Sequence, residues 1–141
     1  MAPRALDALP RAGIGQWPTP LERCPNLRGA LGGMGRCPEI WVKREDCSGL
    51  ALGGNKVRKL DLILGQALRD GVDVAITFGA VQSNHARQTA AACNRIGIDC
   101  ELVLSRMVPR GDDLYEQGGN VLLDRLLGAT VHLCDTRDEG L

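Results

Sequence analysis

Residues Val72 to Leu104 read VDVAITFGAVQSNHARQTAAACNRIGIDCELVL, and this stretch decides the fold. Val72 to Phe78 is β-branched and mostly apolar, the pattern of a buried parallel strand. Gly79 to Ser83 is a short loop. Asn84 to Ile96 carries Ala86, Ala90, Ala91 and Cys93 and reads as a helix closed by Gly97. Ile98 to Leu104 returns to strand character. Strand, helix and strand joined by short connections predict a βαβ unit with a right-handed crossover.

The same alternation extends outward. Upstream, Val57, Leu60, Leu64 and Leu68 recur at helical spacing and Gly71 ends the pattern, so Lys56 to Asp70 is expected to be an amphipathic helix. Arg44 to Asn55 is polar and glycine-containing and reads as loop. Glu39 to Lys43 reads as a strand. Met1 to Gly35 is rich in Pro and Gly, an irregular lead-in with one short helix near Asn26 to Leu31. Downstream, Met107 to Gly119 is patternless loop, Asn120 to Leu127 a helix ended by Gly128, and Thr130 to Cys134 a short strand. The expected fold class is α/β, a parallel sheet with flanking helices. Residues 1–38 are expected to lead into an α/β unit at 39–141. The last strand falls only a few residues before Leu141 and the tail is polar, so the sequence reads as a piece of a longer protein, with this unit incomplete.

Composition narrows the function classes. Seventeen acidic residues balance seventeen Lys and Arg, which argues against a nucleic-acid partner. No apolar run approaches a membrane span, and Met1 to Pro10 lacks the apolar core of a secretory signal. Cytoplasm is therefore the expected location. Cys24, Cys37, Cys47, Cys93, Cys100 and Cys134 form no CxxC or zinc-finger spacing, so no metal is expected. Cys93, Cys100 and Cys134 lie in apolar segments and read as small buried residues.

Chemistry is concentrated in two loops. Lysines are scarce, with Lys43, Lys56 and Lys59 against an otherwise arginine-based positive charge. Arginine keeps its proton in proteins, whereas a lysine can give one up. A free amine can attack a carbonyl to form a Schiff base. Lys56 and Lys59 follow Gly53-Gly54-Asn55 at the start of the predicted helix. The second loop sets Gln82, Ser83, Asn84 and His85 side by side between strand and helix. Ligands of open α/β sheets collect at such places, and helix-start amides favour an anion. Plainer roles stand beside these. Asn55, Ser83 or Asn84 can be helix caps, Lys59 a solvated helix residue and His85 a surface histidine. Lys43-Arg44-Glu45-Asp46 reads as a solvated or ion-paired face, and His132 as a packed strand residue. No GxSxG, GxGxxG or P-loop occurs. Together the loops suit a carbonyl cofactor bearing a phosphate, and pyridoxal 5'-phosphate meets that description.

Leu52 to Leu60 (LGGNKVRKL) and Thr77 to Ala92 (TFGAVQSNHARQTAAA) closely resemble the D-cysteine desulfhydrase and 1-aminocyclopropane-1-carboxylate deaminase family. Trp17 to Glu22 and Val42 to Asp46 are similar to its opening segments. The resemblance runs from about Pro18 to Cys134. It implies the fold-type-II architecture, like the tryptophan synthase β subunit, and a homodimer at full length. It implies that Lys56 bonds the cofactor, that Lys59 helps hold its phosphate and that Asn84 meets the pyridine 3-oxygen. Ser83 would contact the substrate carboxylate or act as nucleophile. Gln82 and His85 would line the same pocket. The deaminase branch often has Gln where His85 stands, which favours the desulfhydrase branch or the related L-cysteate sulfo-lyases. Family members are more than twice this length, and the resemblance puts their glycine-rich phosphate loop and active-site tyrosines beyond Leu141. The insertion-like Gly32 to Pro38 departs from the pattern. The implied activity is a lyase or deaminase that eliminates a β-substituent from a small amino acid, giving pyruvate, ammonia and sulfide from D-cysteine. The rival of another class is a non-catalytic fragment that keeps the cofactor lysine.

Overall fold

The computed structural model describes residues 5–135. A three-stranded parallel sheet is built from β3 (Val74–Ala80), β4 (Asp99–Ser105) and β5 (Thr130–Cys134), in that order. Val74 pairs with Asp99 and Ala80 with Ser105, while Glu101 pairs with Thr130 and Ser105 with Cys134. Helix α2 (Val57–Asp70) precedes the sheet, α3 (Asn84–Ile96) connects β3 to β4, and α5 (Gly119–Leu126) leads into β5. A separate antiparallel pair joins β1 (Leu21–Arg23) to β2 (Trp41–Lys43), with α1 (Pro25–Ala30) between them. The parallel sheet with flanking helices expected from the sequence is thus the observed architecture.

Helix α3 sits on the sheet because its inward residues are small. Ala86, Ala90, Ala91, Ala92 and Cys93 are all buried and face Leu102 and Leu104 of β4 in one core. Gly97 at a positive φ of 76° ends the helix and turns the chain back into β4. Helix α2 buries Val57, Leu60 and Leu64 as its spacing predicts, but Leu68 is exposed. Asp61 and Gly65 take places on the buried face instead. Asp61 accepts from Arg11 and from the Ile14 amide at 3.2 Å, and its carbonyl accepts from Ala12. Gly65 lets the Pro10–Arg11 backbone run against the helix.

Several expectations need correction. The first parallel strand is not buried on both faces: Val74, Ile76 and Phe78 are exposed. The strand order explains this. Both crossovers advance in the same direction along the sheet, and crossovers of one hand then place α3 and α5 on the same face. His132 is not packed. It stands exposed on the open face, with Nε2 2.6 Å from Glu101. The stretch from Met107 to Gly119 is not all loop, since Asp112 caps the short helix α4 (Asp113–Gln117) through the Tyr115 amide. Strand β1 was not anticipated; it is a three-residue, fully exposed segment without alternation. The polar tail after Asp135 lies outside the described residues.

Gly65 offers a test of this packing. Helix propensity alone favours Ala over Gly by roughly 0.5–1 kcal/mol, yet a Cβ on Gly65 would lie 2.5 Å from the Pro10 carbonyl oxygen. Gly29 in α1 has nothing within 4 Å of the same position. Gly65→Ala is therefore expected to lower the urea midpoint, whereas Gly29→Ala leaves it unchanged or raises it.

Candidate active site

The loop before α2 has an unusual backbone. Ala51, Leu52, Gly53 and Gly54 take φ values of 41°, 66°, 68° and 133° in succession. Glycine adopts such angles freely, but Ala51 and Leu52 pay about 1 kcal/mol or more each. Neighbouring groups hold the loop in place. Gly53 N–H donates to the Leu50 carbonyl and Gly54 N–H to the Glu45 carbonyl, both at 2.8 Å. Arg87, on α3 and only 5% exposed, donates to the carbonyls of Ala51 and Gly53. A Cβ on Gly53 would overlap the Asp46 carbonyl, and one on Gly54 would lie 2.5 Å from the Gln88 amide nitrogen.

Gln88 ties this loop to the second one. Its Oε1 accepts from Val57 N–H at 3.2 Å, and its Nε2 donates to the Asn84 carbonyl at 2.8 Å. The first turn of α2 is thus capped from another helix. Asn55 is not its cap; Lys56 holds the N-cap position with no side-chain cap bond. The heads of α2 and α3 are thereby fastened side by side. Lys56 is half-buried there and Lys59 exposed.

In the second loop Ser83 is a true N-cap, accepting from Ala86 N–H at 3.2 Å. Gly79 makes room for it, since a Cβ there would lie 2.7 Å from the Ser83 hydroxyl. Gln82 turns its amide the other way. It donates to the carbonyls of Tyr115 and Gly118 and accepts from Asn120 N–H at 2.8 Å. Its side chain fastens the α4–α5 junction to the loop. Asn120 also donates to the Gln82 carbonyl and to Asn84 Oδ1 at 3.2 Å, which fixes the Asn84 amide at the head of α3.

His85 lies between the groups. Its Nε2 is 3.1 Å from Thr77 Oγ1, and its Nδ1 is buried without a partner among the described residues. Burial, then the charges of Lys59 and Lys56, hold its pKa below the ordinary 6.5. The imidazole is therefore neutral at pH 7. Lys56, Lys59, Ser83, Asn84 and His85 share one end of the sheet, while the Gln82 side chain serves the flank.

In the run from Lys43 to Asp46, expected to be solvated or ion-paired, Arg44, Glu45 and Asp46 make ion pairs and Lys43 donates to the Thr19 carbonyl. Arg44 bonds Asp46 and Glu22, and Arg58 bonds Glu45 while stacking 4.4 Å over Trp17. Among the described residues no group of His, Cys, Asp or Glu could hold a metal ion. No helix there is long and apolar enough to cross a membrane. Sequence reasoning missed Arg87, Gln88 and Asn120. The first two carried a signal: they are long polar residues on the helical face that also presents Ala86, Ala90 and Ala91.

The residues fit a phosphate-bearing aldehyde. Lys56 and Lys59 stand at the head of α2, which adjoins the head of α3, and helix N-termini favour an anion. Ser83 caps α3, and Asn84 and His85 fill its first turn, beside the head of α2. Residues 13–141 match the family model described as pyridoxal-phosphate dependent enzyme. The chain is 49% identical over 119 residues to a 1-aminocyclopropane-1-carboxylate deaminase of Methylobacterium nodulans, covering 84% of this chain and 34% of that protein. It is 43% identical over 135 residues to a D-cysteine desulfhydrase of Klebsiella pneumoniae, covering 96% and 40%. A solved structure described as an ACC deaminase homologue superimposes with a TM-score of 0.79 at 41% identity, covering 94% of this chain and 37% of that one. The chain thus spans little more than a third of the relatives it matches.

The lowered pKa of His85 has a measurable consequence. A histidine with a folded pKa below its unfolded value is a proton that only the unfolded chain takes up, so its contribution to stability is full above about 6.5 and is lost as pH falls toward the folded value. Its NMR titration midpoint is expected below 6.5 and is expected to rise in Lys59→Met, because one of the repelling charges is gone. A midpoint unmoved by that change would show that Lys59 does not face the imidazole.

Proposed function

The chain belongs to the pyridoxal-phosphate dependent enzyme family, and we propose that it supplies the cofactor-lysine portion of a lyase or deaminase acting on a small amino acid. Residues 39–141 form the unit that carries the lysine, and residues 1–38 lead into it. The observation that carries this reading is the fastening of α2 and α3 through Gln88, which brings Lys56 beside the Ser83 to His85 loop.

When bound, pyridoxal phosphate supplies a carbonyl for amines and an electron-withdrawing ring beside the substrate Cα. Lys56 is the covalent anchor. Its amine, when not bonded to the cofactor, would be the base that takes the substrate Cα proton. Lys59 opposes the phosphate charge, and Asn84 donates to the ring 3-oxygen. Ser83 binds the substrate carboxylate or acts as nucleophile. His85, neutral, lines the same carboxylate pocket, and Gln82 shapes that pocket by fixing the backbone of the loop. Loss of the β-substituent and hydrolysis turn D-cysteine into pyruvate, ammonia and sulfide.

Two substrate branches follow. The desulfhydrase branch, with L-cysteate sulfo-lyases beside it, is favoured by His85. The alternative, opening of 1-aminocyclopropane-1-carboxylate to 2-oxobutanoate and ammonia, is supported by the 49% identity to a deaminase of that name. The cytoplasm is the location that belongs with this reading. A homodimer of the full-length enzyme belongs to the same proposal.

The test is spectroscopic and then chemical. Pyridoxal phosphate added to the protein is expected to give a visible absorption band that Lys56→Ala abolishes. A band that survives the substitution would move the covalent bond elsewhere. Product assays of a full-length enzyme on D-cysteine, L-cysteate and the cyclopropane amino acid then separate the branches. Turnover of D-cysteine with sulfide release supports the first, and 2-oxobutanoate formation alone supports the second.

A further inference from the structure

Asp124 stands outside the site just described. It lies on α5, is fully buried, and neither carboxylate oxygen has a hydrogen-bond partner among the described residues. A buried acid without partners is costly, so native proteins keep one only where something compensates it. Helix α3 packs against α5 and carries a complementary deficit. Arg87 is also buried, and its Nε–H has no acceptor among the described residues. The other end of the same guanidinium grips Ala51 and Gly53.

We propose that Asp124 is a positioning residue, the internal counter-charge that keeps Arg87 inside the protein and so holds the positive-φ loop that leads to Lys56. No ion pair within bonding distance joins them, so the attraction acts across the α3–α5 contact. Electrostatics agrees with the geometry. Burial raises the Asp124 carboxyl to about 6, Arg87 acting against it, and Asp124 is the acid that opposes the depression of the Arg87 pKa. At neutral pH the acid is mostly ionised. A carboxamide in its place keeps the shape and removes the charge. Arg87 would then be a buried cation with no counter-ion, and its cheapest relief is to swing toward water, releasing both carbonyls.

The functional meaning rests on Lys56 as the cofactor lysine; the structural claim does not. Amide hydrogen exchange reads the structural claim directly. Gly53 and Gly54 donate to Leu50 and Glu45, so their exchange reports loop opening. In Asp124→Asn their exchange is expected to speed up about tenfold while the core amides of Leu102 and Leu104 keep the parent rate. Pyridoxal phosphate affinity, followed by the absorption band, is expected to fall in step. In an Arg87→Gln background Asp124→Asn is expected to add no further loosening. Should the carboxamide variant fail to fold, Asp124→Leu, which also removes the charge, takes its place in the same comparison. Unchanged exchange at Gly53 and Gly54, equal acceleration in the core, or additive effects with Arg87→Gln would each overturn the proposal. A parent without an absorption band would defeat the cofactor reading and leave the exchange result to decide this one.

Discussion

Everything at the candidate site depends on two side chains of α3. Arg87 and Gln88 reach from one helix to the loop and first turn of another and satisfy backbone groups there. Arg87 adds to the loop's own hydrogen bonds in holding the run of left-handed residues from Ala51 to Gly54. Ala51 and Leu52 hold conformations that L-residues avoid, and only an over-determined surrounding makes such angles stable. The hydrogen bonds from Arg87 and from within the loop offset that strain. Strain of this kind is common where a protein must aim a reactive group.

The packing below makes the clamp possible. A helix whose inner face is mostly alanine can approach the sheet closely, and Ala86, Ala90, Ala91 and Ala92 let α3 do so. Close approach brings the two long polar residues of the helix within reach of α2. The same geometry places Ser83 at the cap of α3 and His85 against Thr77 of β3. Electrostatics then separates the roles. Burial, with the charges of Lys59 and Lys56 adding to it, favours the neutral imidazole, so the positive charge of the site is left to the lysines at the head of α2, where an anion is favoured.

Much of this was legible in the sequence, and the reasons differ by element. The helices α2, α3 and α5 were readable because apolar spacing and a following glycine mark them, and the strand β5 because it is a short apolar run behind Gly128. Both loops were found because their polar residues interrupt apolar runs at strand and helix ends. The exposed face of β3 was not legible: Val74, Ile76 and Phe78 look like core, and only the strand order reveals that both crossover helices lie on the opposite face. The partners of Gln82 were hidden too, since Tyr115, Gly118 and Asn120 are more than thirty residues away. His132 illustrates the same limit. A histidine in an apolar strand suggests packing, but the neighbouring strand supplies Glu101 and open solvent. Long-range pairing decides such cases, and local pattern carries none of it.

The central claim is that the clamp presents one particular amine to the cofactor. Reduction of the pyridoxal-phosphate-treated protein with borohydride, followed by peptide mass mapping, identifies the lysine that is bonded. The account predicts the added mass on Lys56 alone, with Lys43 and Lys59 unmodified. The mass on Lys59 or Lys43, or on no lysine of this chain, would contradict it.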